Sequence, residues 1–529
     1  MREIITLQLG STANFVGTHF WNSLENKINR IKEGNNENNS QGDVSNKDYQ
    51  DISIFYKTGI SMQKEETFSP RLLIMELKVK YLNYSGLNSI KNSNPFYQNA
   101  IDFNALKNDA TQLWPGKIET YENDVDERST FQKTIENPNF EYQKLFNSGY
   151  NPKSLDLNEN TVKSWSDFNI SYYHPKTSIE LSEYNVNDET TPFGSFSCGE
   201  ELYTNGQYGD LLMDDNLRFF LEDCDQLQGF QIICETTSAF GGFTSKLIEE
   251  INDEFGHHNV LVYGVENKEE NTLLSRINKS LCMQAFNESS LLYIPLEITN
   301  TPANNFWSKY YSANVNSLYH SSAIFSSVIE SVSLPFSSSK NYDSMIDICS
   351  SLSTDSIKLA GISYKYPCKN TEKCDLNHLY YYETMSNMEN LFGQQYIYQG
   401  MDEIQEFNEK YRCYRTSSWS TKDKYSLSPT FPQIFNKDEI IDIEYFKHRD
   451  EKDPNKESVT TDIVTDLPMM TRLACDSSLN FIVNQSYQCL DTYKIIVSKE
   501  TGYEDDDLFE IREELKRLRD SIGAEDENL

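Results

Sequence analysis

A chain of 529 residues with 81 acidic and 47 basic side chains carries a formal net charge of -34, and that balance argues against nucleic acid as a direct ligand. With 38% hydrophobic and 13% aromatic residues it is nonetheless a folding chain, long enough for roughly two to four domains. No run of about 18 apolar residues is present, which excludes a transmembrane helix.

The alternating residues Glu3 to Leu9 predict a short strand, followed by a turn over Gly10-Ser11-Thr12-Ala13-Asn14. A helix is expected from about Phe15, with Phe15, Phe20, Leu24, Ile28 and Ile31 on one face and Thr12 or Asn14 as its cap. Residues 33–50 are rich in Asn, Ser and Asp and read as a mobile surface loop. Arg71 to Lys80 contains the run Leu72-Leu73-Ile74-Met75 and reads as a second buried strand; 85–130 offers only loops and short helices; Trp165 to Leu181 reads as extended.

The clearest unit lies between 211 and 265. Leu217, Phe220, Leu221, Cys224 and Leu227 recur at helical spacing up to Gly229, and Phe230 to Cys234 is a short apolar strand. The loop Glu235 to Gly242 then leads to a helix around Thr244 to Phe255, and Asn259 to Val265 forms the next strand. A helix over Leu273 to Phe286 precedes a strand over Leu291 to Leu296. Such an α–β–α–β run implies parallel strands joined by right-handed crossovers. Beyond 300 the texture turns Ser- and Tyr-rich, with a charged loop at 448–461. A final helix is expected over Asp505 to Ile522, with Leu508, Ile511, Leu515 and Leu518 on one face, docked on the body or offered to a partner helix.

Met1 to Gly10 and Phe15-Val16-Gly17-Thr18-His19-Phe20-Trp21 are similar to the N-terminus of tubulins, and closer still to that of the Misato family. Cys224-Asp225-Gln226-Leu227-Gln228-Gly229-Phe230 resembles both families. Pro70-Arg71 and the strand to Glu76 resemble the tubulin segment that ends in an acidic residue near nucleotide and magnesium. His320-Ser321-Ser322-Ala323-Ile324 to Leu334-Pro335-Phe336, and Ala474-Cys475-Asp476-Ser477-Ser478, look like Misato alone. The chain is identified as a member of the Misato family.

The resemblance implies an α/β, tubulin-like N-terminal domain of nucleotide-binding type, with a parallel sheet, over 1–300 and inserts near 33–50 and 85–160. An α+β Misato-type region over 301–500 would follow, then a C-terminal helix and acidic tail over 501–529. It further implies that Gly10, Ser11, Asn14, Glu76, Gly241, Gly242 and Thr244 stand at the positions of a degenerate nucleotide site. Gly-rich loops cradle phosphate because a side chain would block the backbone's approach. Here the first loop keeps Gly10 but has Ala13, and the loop from Glu235 to Ser245 has lost most of the tubulin signature. Glu235 brings negative charge towards that site, and Lys78 replaces an acid beside Glu76. Gly241-Gly242 then read as allowing a tight strand-to-helix turn. No Gly-x-x-Asn-x-Asp-x-x-acid string follows the strand at 291–296, so GTP turnover is not expected.

The ten cysteines lie singly; Cys368, Cys374 and His378 come close together but lack a fourth metal ligand, so reduced thiols and no metal are expected. His257-His258 read as solvated cap residues, and Asn278 fits helix packing as well as a nucleotide contact. The start of the chain lacks the zones of a signal peptide or a mitochondrial presequence, so a soluble protein in the cytosol or on a membrane facing it is expected. By resemblance, the function is non-catalytic. It lies in mitochondrial inheritance, distribution and morphology, including partitioning of the organelle and its DNA. The protein would act peripherally on the cytosolic face and in the cytoplasm, through protein partners at the mitochondrial surface or cytoskeleton, without a cofactor. Two readings stay open beside it: a GTP-binding switch or filament-forming GTPase, and a cofactor in chaperonin-assisted folding of cytoskeletal proteins.

Overall fold

Strand β1 (Ile4–Leu9) is buried at every position, as the alternating start requires, and it lies in the middle of a six-stranded sheet. The computed structural model describes residues 2–37, 50–60, 66–78, 131, 155, 157–186, 192–206, 208–255, 259–266, 272–298, 311–314, 316–339, 342–367, 376–380, 391–402, 415–436, 438, 440, 442–448 and 459–523. Helix α1 (Ser11–Glu37) starts directly after Gly10, so the turn expected over 10–14 shrinks to one residue. Gly10 makes this possible by adopting φ +96°, a conformation open to glycine at little cost. The same helix reaches into the segment read as a loop from 33; residues 38–49 lie outside the described residues.

A small hairpin, β2 (Tyr56–Ile60) and β3 (Glu66–Pro70), precedes β4 (Leu72–Lys78). The stretch 165–181 is not extended throughout. It makes two 3-10 turns, Trp165–Phe168 and Pro175–Thr177, before β5 (Ser178–Asn185). Helix α2 (Phe196–Asn205) leads to irregular helical turns over 208–221, of which Leu211–Leu217 is π-helical. The helix expected through Leu227 stops at 221. Glu3 pulls the chain away there: its backbone N–H reaches the Gln226 carbonyl at 3.1 Å, and its carboxylate takes the Gln226 N–H at 3.0 Å. Strand β6 (Gly229–Glu235), helix α3 (Phe240–Phe255), β7 (Val260–Val265), helix α4 (Leu273–Ser289) and β8 (Leu292–Leu296) complete the expected run.

The strand order is β5-β4-β1-β6-β7-β8 with every pairing parallel. The sequence expectation of an α/β domain on a parallel sheet is met. Because side chains alternate along a strand, Ile4, Ile74, Ile233 and Tyr263 face one core while Ile5, Leu7, Leu9, Met75 and Ile232 face the other.

The first core is closed by α1 and by helix α5 (Leu318–Ser337). Ile324, Val328, Ile329 and Val332 of α5 are fully buried, worth about 1.5–3 kcal/mol each against exposure. In sequence this element shows Ser-rich texture and the Misato-like segment His320 to Phe336, without a helical reading. Its buried hydroxyls bond back to their own helix, Ser327 to the Ile324 carbonyl at 2.8 Å and Ser333 to that of Glu330 at 2.7 Å. Lys27 of α1 meets the fully buried Glu330 of α5 at 2.5 Å.

Helix α6 (Met345–Leu352) follows, then a second sheet in the order β10-β9-β16-β11-β12. It comprises β9 (Gly361–Lys365), β10 (Asn377–His378), β11 (Leu391–Gln399), β12 (Arg415–Thr421) and β16 (Met469–Asp476). Strands β13 (Tyr425–Ser426), β14 (Glu444–His448) and β15 (Val459–Leu467) make a third sheet. Thus 448 and 459–461 of the expected charged loop belong to strands; 449–458 lie outside the described residues. Helices α7 (Leu479–Thr492), α8 (Lys494–Thr501) and α9 (Asp505–Gly523) end the described chain. The apolar stripe of α9 docks on α7 and α4, burying Leu508, Leu515, Leu518 and Ile522 in the second core.

Candidate functional site

In open parallel sheets, ligands bind beyond the carboxyl ends of the strands where the strand order reverses. Here that crevice falls between β1 and β6, because β4 and β5 lie on one side of β1 while β6, β7 and β8 lie on the other. Gly10 ends β1 and Glu235 ends β6, so the two stand side by side at this point.

Gly10, Asn14 and Glu76 are brought together there, with Ser11 exposed at the start of α1. The Asn14 side-chain amide donates to the Met75 carbonyl at 3.2 Å and to the Glu76 carboxylate at 2.9 Å. The Trp165 indole N–H donates to the same Glu76 oxygen at 3.1 Å, and the Leu77 backbone N–H donates to the other, also at 3.1 Å. Burial pushes the Glu76 carboxyl up to about 7, and the nearby Glu235 charge pushes in the same direction, against these hydrogen bonds.

Glu235 points inward. Its carboxylate accepts the backbone N–H of Thr12 at 2.9 Å, and so occupies a free donor in the first turn of α1. A Cβ at Gly10 would stand 2.9 Å from both Glu235 Cβ and Phe240 Cδ2. The glycine therefore admits these two side chains, and they fill the space beside it.

Gly241, Gly242 and Thr244 serve packing. Helix α3 starts at Phe240 rather than near Thr244, so both glycines lie within its first turn and not in a loop. A Cβ at Gly241 would lie 2.3 Å from Cys282 Sγ, and one at Gly242 would lie 1.9 Å from the Phe196 carbonyl oxygen. The pair lets α3 approach α4 and α2 closely. The Thr244 hydroxyl donates to the Phe240 carbonyl at 2.7 Å. Asn278 is committed too: its amide N–H groups reach the Gly194 and Thr237 carbonyls at 2.6 and 3.0 Å, and its oxygen accepts the Phe196 N–H at 3.0 Å.

Further along the same edge, Glu266 follows β7 and Glu297 follows β8. Lys279 of α4 bridges them at 2.9 and 2.6 Å. Burial raises the Glu266 carboxyl, and Lys279 is raised by the two carboxylates it faces. Four strands of this sheet thus bring a glutamate to the edge, within β4, at the end of β6 and directly after β7 and β8, with Lys279 set between the last two. These residues do not fit a triphosphate: the Thr12 N–H in the first turn of α1 is taken by the Glu235 carboxylate, an acidic group where a phosphate would sit. The sequence signal for this edge was present at each strand end, but Trp165, Phe240 and Lys279 carry no motif that would have joined them to it.

Of the other candidates, Cys368, Cys374, His257 and His258 lie outside the described residues. The Nδ1 of His378 is 2.7 Å from the Ser363 hydroxyl, and no group of three or more potential metal ligands occurs among the described residues.

Residues 2–137 match the Misato Segment II tubulin-like domain, and residues 154–337 match a tubulin domain. Protein DML1 of Phaeosphaeria nodorum is 31% identical over 341 residues, covering 63% of this chain and 58% of that protein. Protein dml1 of Aspergillus niger is 32% identical over 342 residues, covering 63% and 62%. Protein misato homolog 1 of Mus musculus is 28% identical over 362 residues, covering 63% and 58%. The chain spans about three fifths of the length of these curated relatives.

Proposed function

The chain belongs to the Misato family of tubulin-related proteins, and on that footing we propose that it serves mitochondrial inheritance, distribution and morphology as a non-catalytic interaction protein. The observation that carries the non-catalytic half is the 2.9 Å bond from the Thr12 N–H to the Glu235 carboxylate. A helix N-terminus in this fold would otherwise be the phosphate grip. Phosphoryl transfer depends on positioned positive charge, and an edge with four glutamates and one lysine supplies little of it. The mitochondrial half rests on the Misato-like segments at Met1 to Trp21, Cys224 to Phe230 and His320 to Phe336. The protein acts in the cytoplasm and peripherally on the cytosolic face of the organelle, through protein partners. In support, no described helix is long and apolar enough to cross a membrane.

One observation favours the GTP-switch reading as the rival. Thr12 Oγ1 and Asn14 Oδ1 are buried at the same point without a hydrogen-bond partner among the described residues, as groups that wait for a ligand would be. The deciding experiment is acid release and chromatography of bound nucleotide from purified protein, with a calorimetric GTP titration. Neither nucleotide nor heat is expected, and stoichiometric guanine nucleotide would overturn the non-catalytic reading. Glycine variants cannot serve as the control, because Gly10, Gly241 and Gly242 are each required by close packing. For the mitochondrial half, depletion in cells is expected to disturb the mitochondrial network and the segregation of its DNA. An unchanged network would sink it.

A further inference from the structure

Helices α3, α4 and α9 enclose a groove of about 460 Å³ away from the sheet edge just described. Its apolar lining includes Phe196 and Leu281, both buried, with Tyr503 and Ile511 half-buried, and Ser245, Asn252, Gln284 and Ser289 make up polar wall beside them. Its rim carries Glu200, Glu249, Asp253 and Glu288, and no Lys or Arg among the described residues lines it. Lys246 is the cation at its border, and it is spent on Glu249 at 2.8 Å and Glu200 at 3.8 Å.

The side chains around the groove are crowded with like charge. Burial raises the Glu200 carboxyl and Glu249 and Glu201 raise it further, although Lys246 and the Tyr503 hydroxyl, which donates to it, act against this. Glu514, bonded to Gln284 of the groove wall, is raised by burial and by Glu288 and Glu510. A cation placed over the rim would relieve this repulsion, while an apolar side chain would cover the apolar lining.

We propose that this groove is the docking site for a Lys/Arg-bearing amphipathic helix of a protein partner. The apolar stripe of that helix sits on Tyr503, Ile511 and Leu281. Its basic residues pair with Asp253 and Glu288, which are exposed, and with Glu249 in exchange for its contact with Lys246. Charge complementarity selects this occupant: a helix seated in the groove would stand within reach of four carboxylates, which attract basic side chains and exclude acidic ones. The proposal deepens the interaction-protein reading by naming the partner's chemistry, and its test is independent of the nucleotide titration.

The probe is a synthetic Leu/Lys amphipathic peptide of about five helical turns, titrated into the full chain by fluorescence anisotropy at low and raised salt. Binding that weakens with salt is expected, together with at least about a tenfold loss in the double variant Glu249→Lys/Asp253→Lys. The control double variant Asp214→Lys/Asp225→Lys changes the net charge equally at exposed positions outside the groove and should bind as the parent does. All four positions are exposed, and circular dichroism would verify that each variant is folded. Equal loss in both variants, meaning attraction to the acidic chain at large, would overturn the proposal, as would no binding by the parent.

Discussion

The Glu235 carboxylate reaches across 223 positions of sequence to take the backbone N–H of Thr12 at 2.9 Å, and the residue is only 6% exposed. This bond ties the carboxyl end of β6 to the first turn of α1. It also places a negative charge where the fold presents its most favourable site for one.

Removing that acceptor should be felt directly. Glu235→Ala leaves the Thr12 N–H without a partner and is expected to lower the unfolding free energy by about 1–2 kcal/mol. Glu235→Gln keeps an acceptor oxygen and should cost less. Urea unfolding followed by circular dichroism would measure both, and equal costs would mean that the contact does not act as a cap.

Glu76 makes stability depend on pH. Burial first, and Glu235 second, raise its folded pKa to about 7. Well below the ordinary carboxylate value both folded and unfolded states hold the proton, and the group contributes nothing. Between that value and about 7 the unfolded chain ionises while the folded one keeps its proton, so stability falls as pH rises. The loss levels off above the folded pKa at about 3 kcal/mol. Urea midpoints taken between about pH 5 and pH 8 should show this fall in the parent and a flatter profile in Glu76→Gln. Identical profiles would show that Glu76 titrates as an ordinary acid.

The contact between Lys27 and Glu330 predicts a larger effect. Glu330 is fully buried in α5, and Lys27 of α1 is its counter-charge at 2.5 Å. Lys27→Met should destabilise the protein by about 3–5 kcal/mol, since it strands a buried charge. The double variant Lys27→Met/Glu330→Met should recover much of that loss. Chemical unfolding of the two variants and the parent would decide it, and a double variant no more stable than the single one would contradict the account.

Gly242 should tolerate nothing larger. A Cβ there would lie 1.9 Å from the Phe196 carbonyl oxygen, which belongs to backbone and cannot swing aside. Gly242→Ala is expected to cost about 3 kcal/mol or more through displacement of α2. Gly502→Ala is the comparison: no described residue lies within 4 Å, and its φ of +73° is what opposes a side chain, so about 1 kcal/mol is expected. Thermal unfolding midpoints would rank them, and similar shifts would mean that α2 yields.

The candidate site was half legible. Gly10, Asn14 and Glu76 stood in segments with family resemblance, and the structure groups them. The inward aim of Glu235 was not legible, because strand alternation says which face a residue is on but not where a side chain turns once the strand has ended. In sequence Gly241 and Gly242 read as a tight strand-to-helix turn, since glycine is a poor helix former. Here they open a helix, since α2 and α4 press against α3 too closely for any side chain.

What the sequence determined by itself was the parallel sheet and its crossovers. Short apolar strands alternating with helices at 3.6-residue spacing leave few other arrangements, and that information is local. Tertiary structure alone decided the rest. The burial of helix α5 rests on hydroxyls satisfied by their own backbone and on Lys27, from the second half of α1. The end of the helical turns at 221 follows from the pull of Glu3 on Gln226. The nucleotide-type edge became a closed, acidic one because side chains distant in sequence meet there, and such meetings leave no periodic trace in the chain.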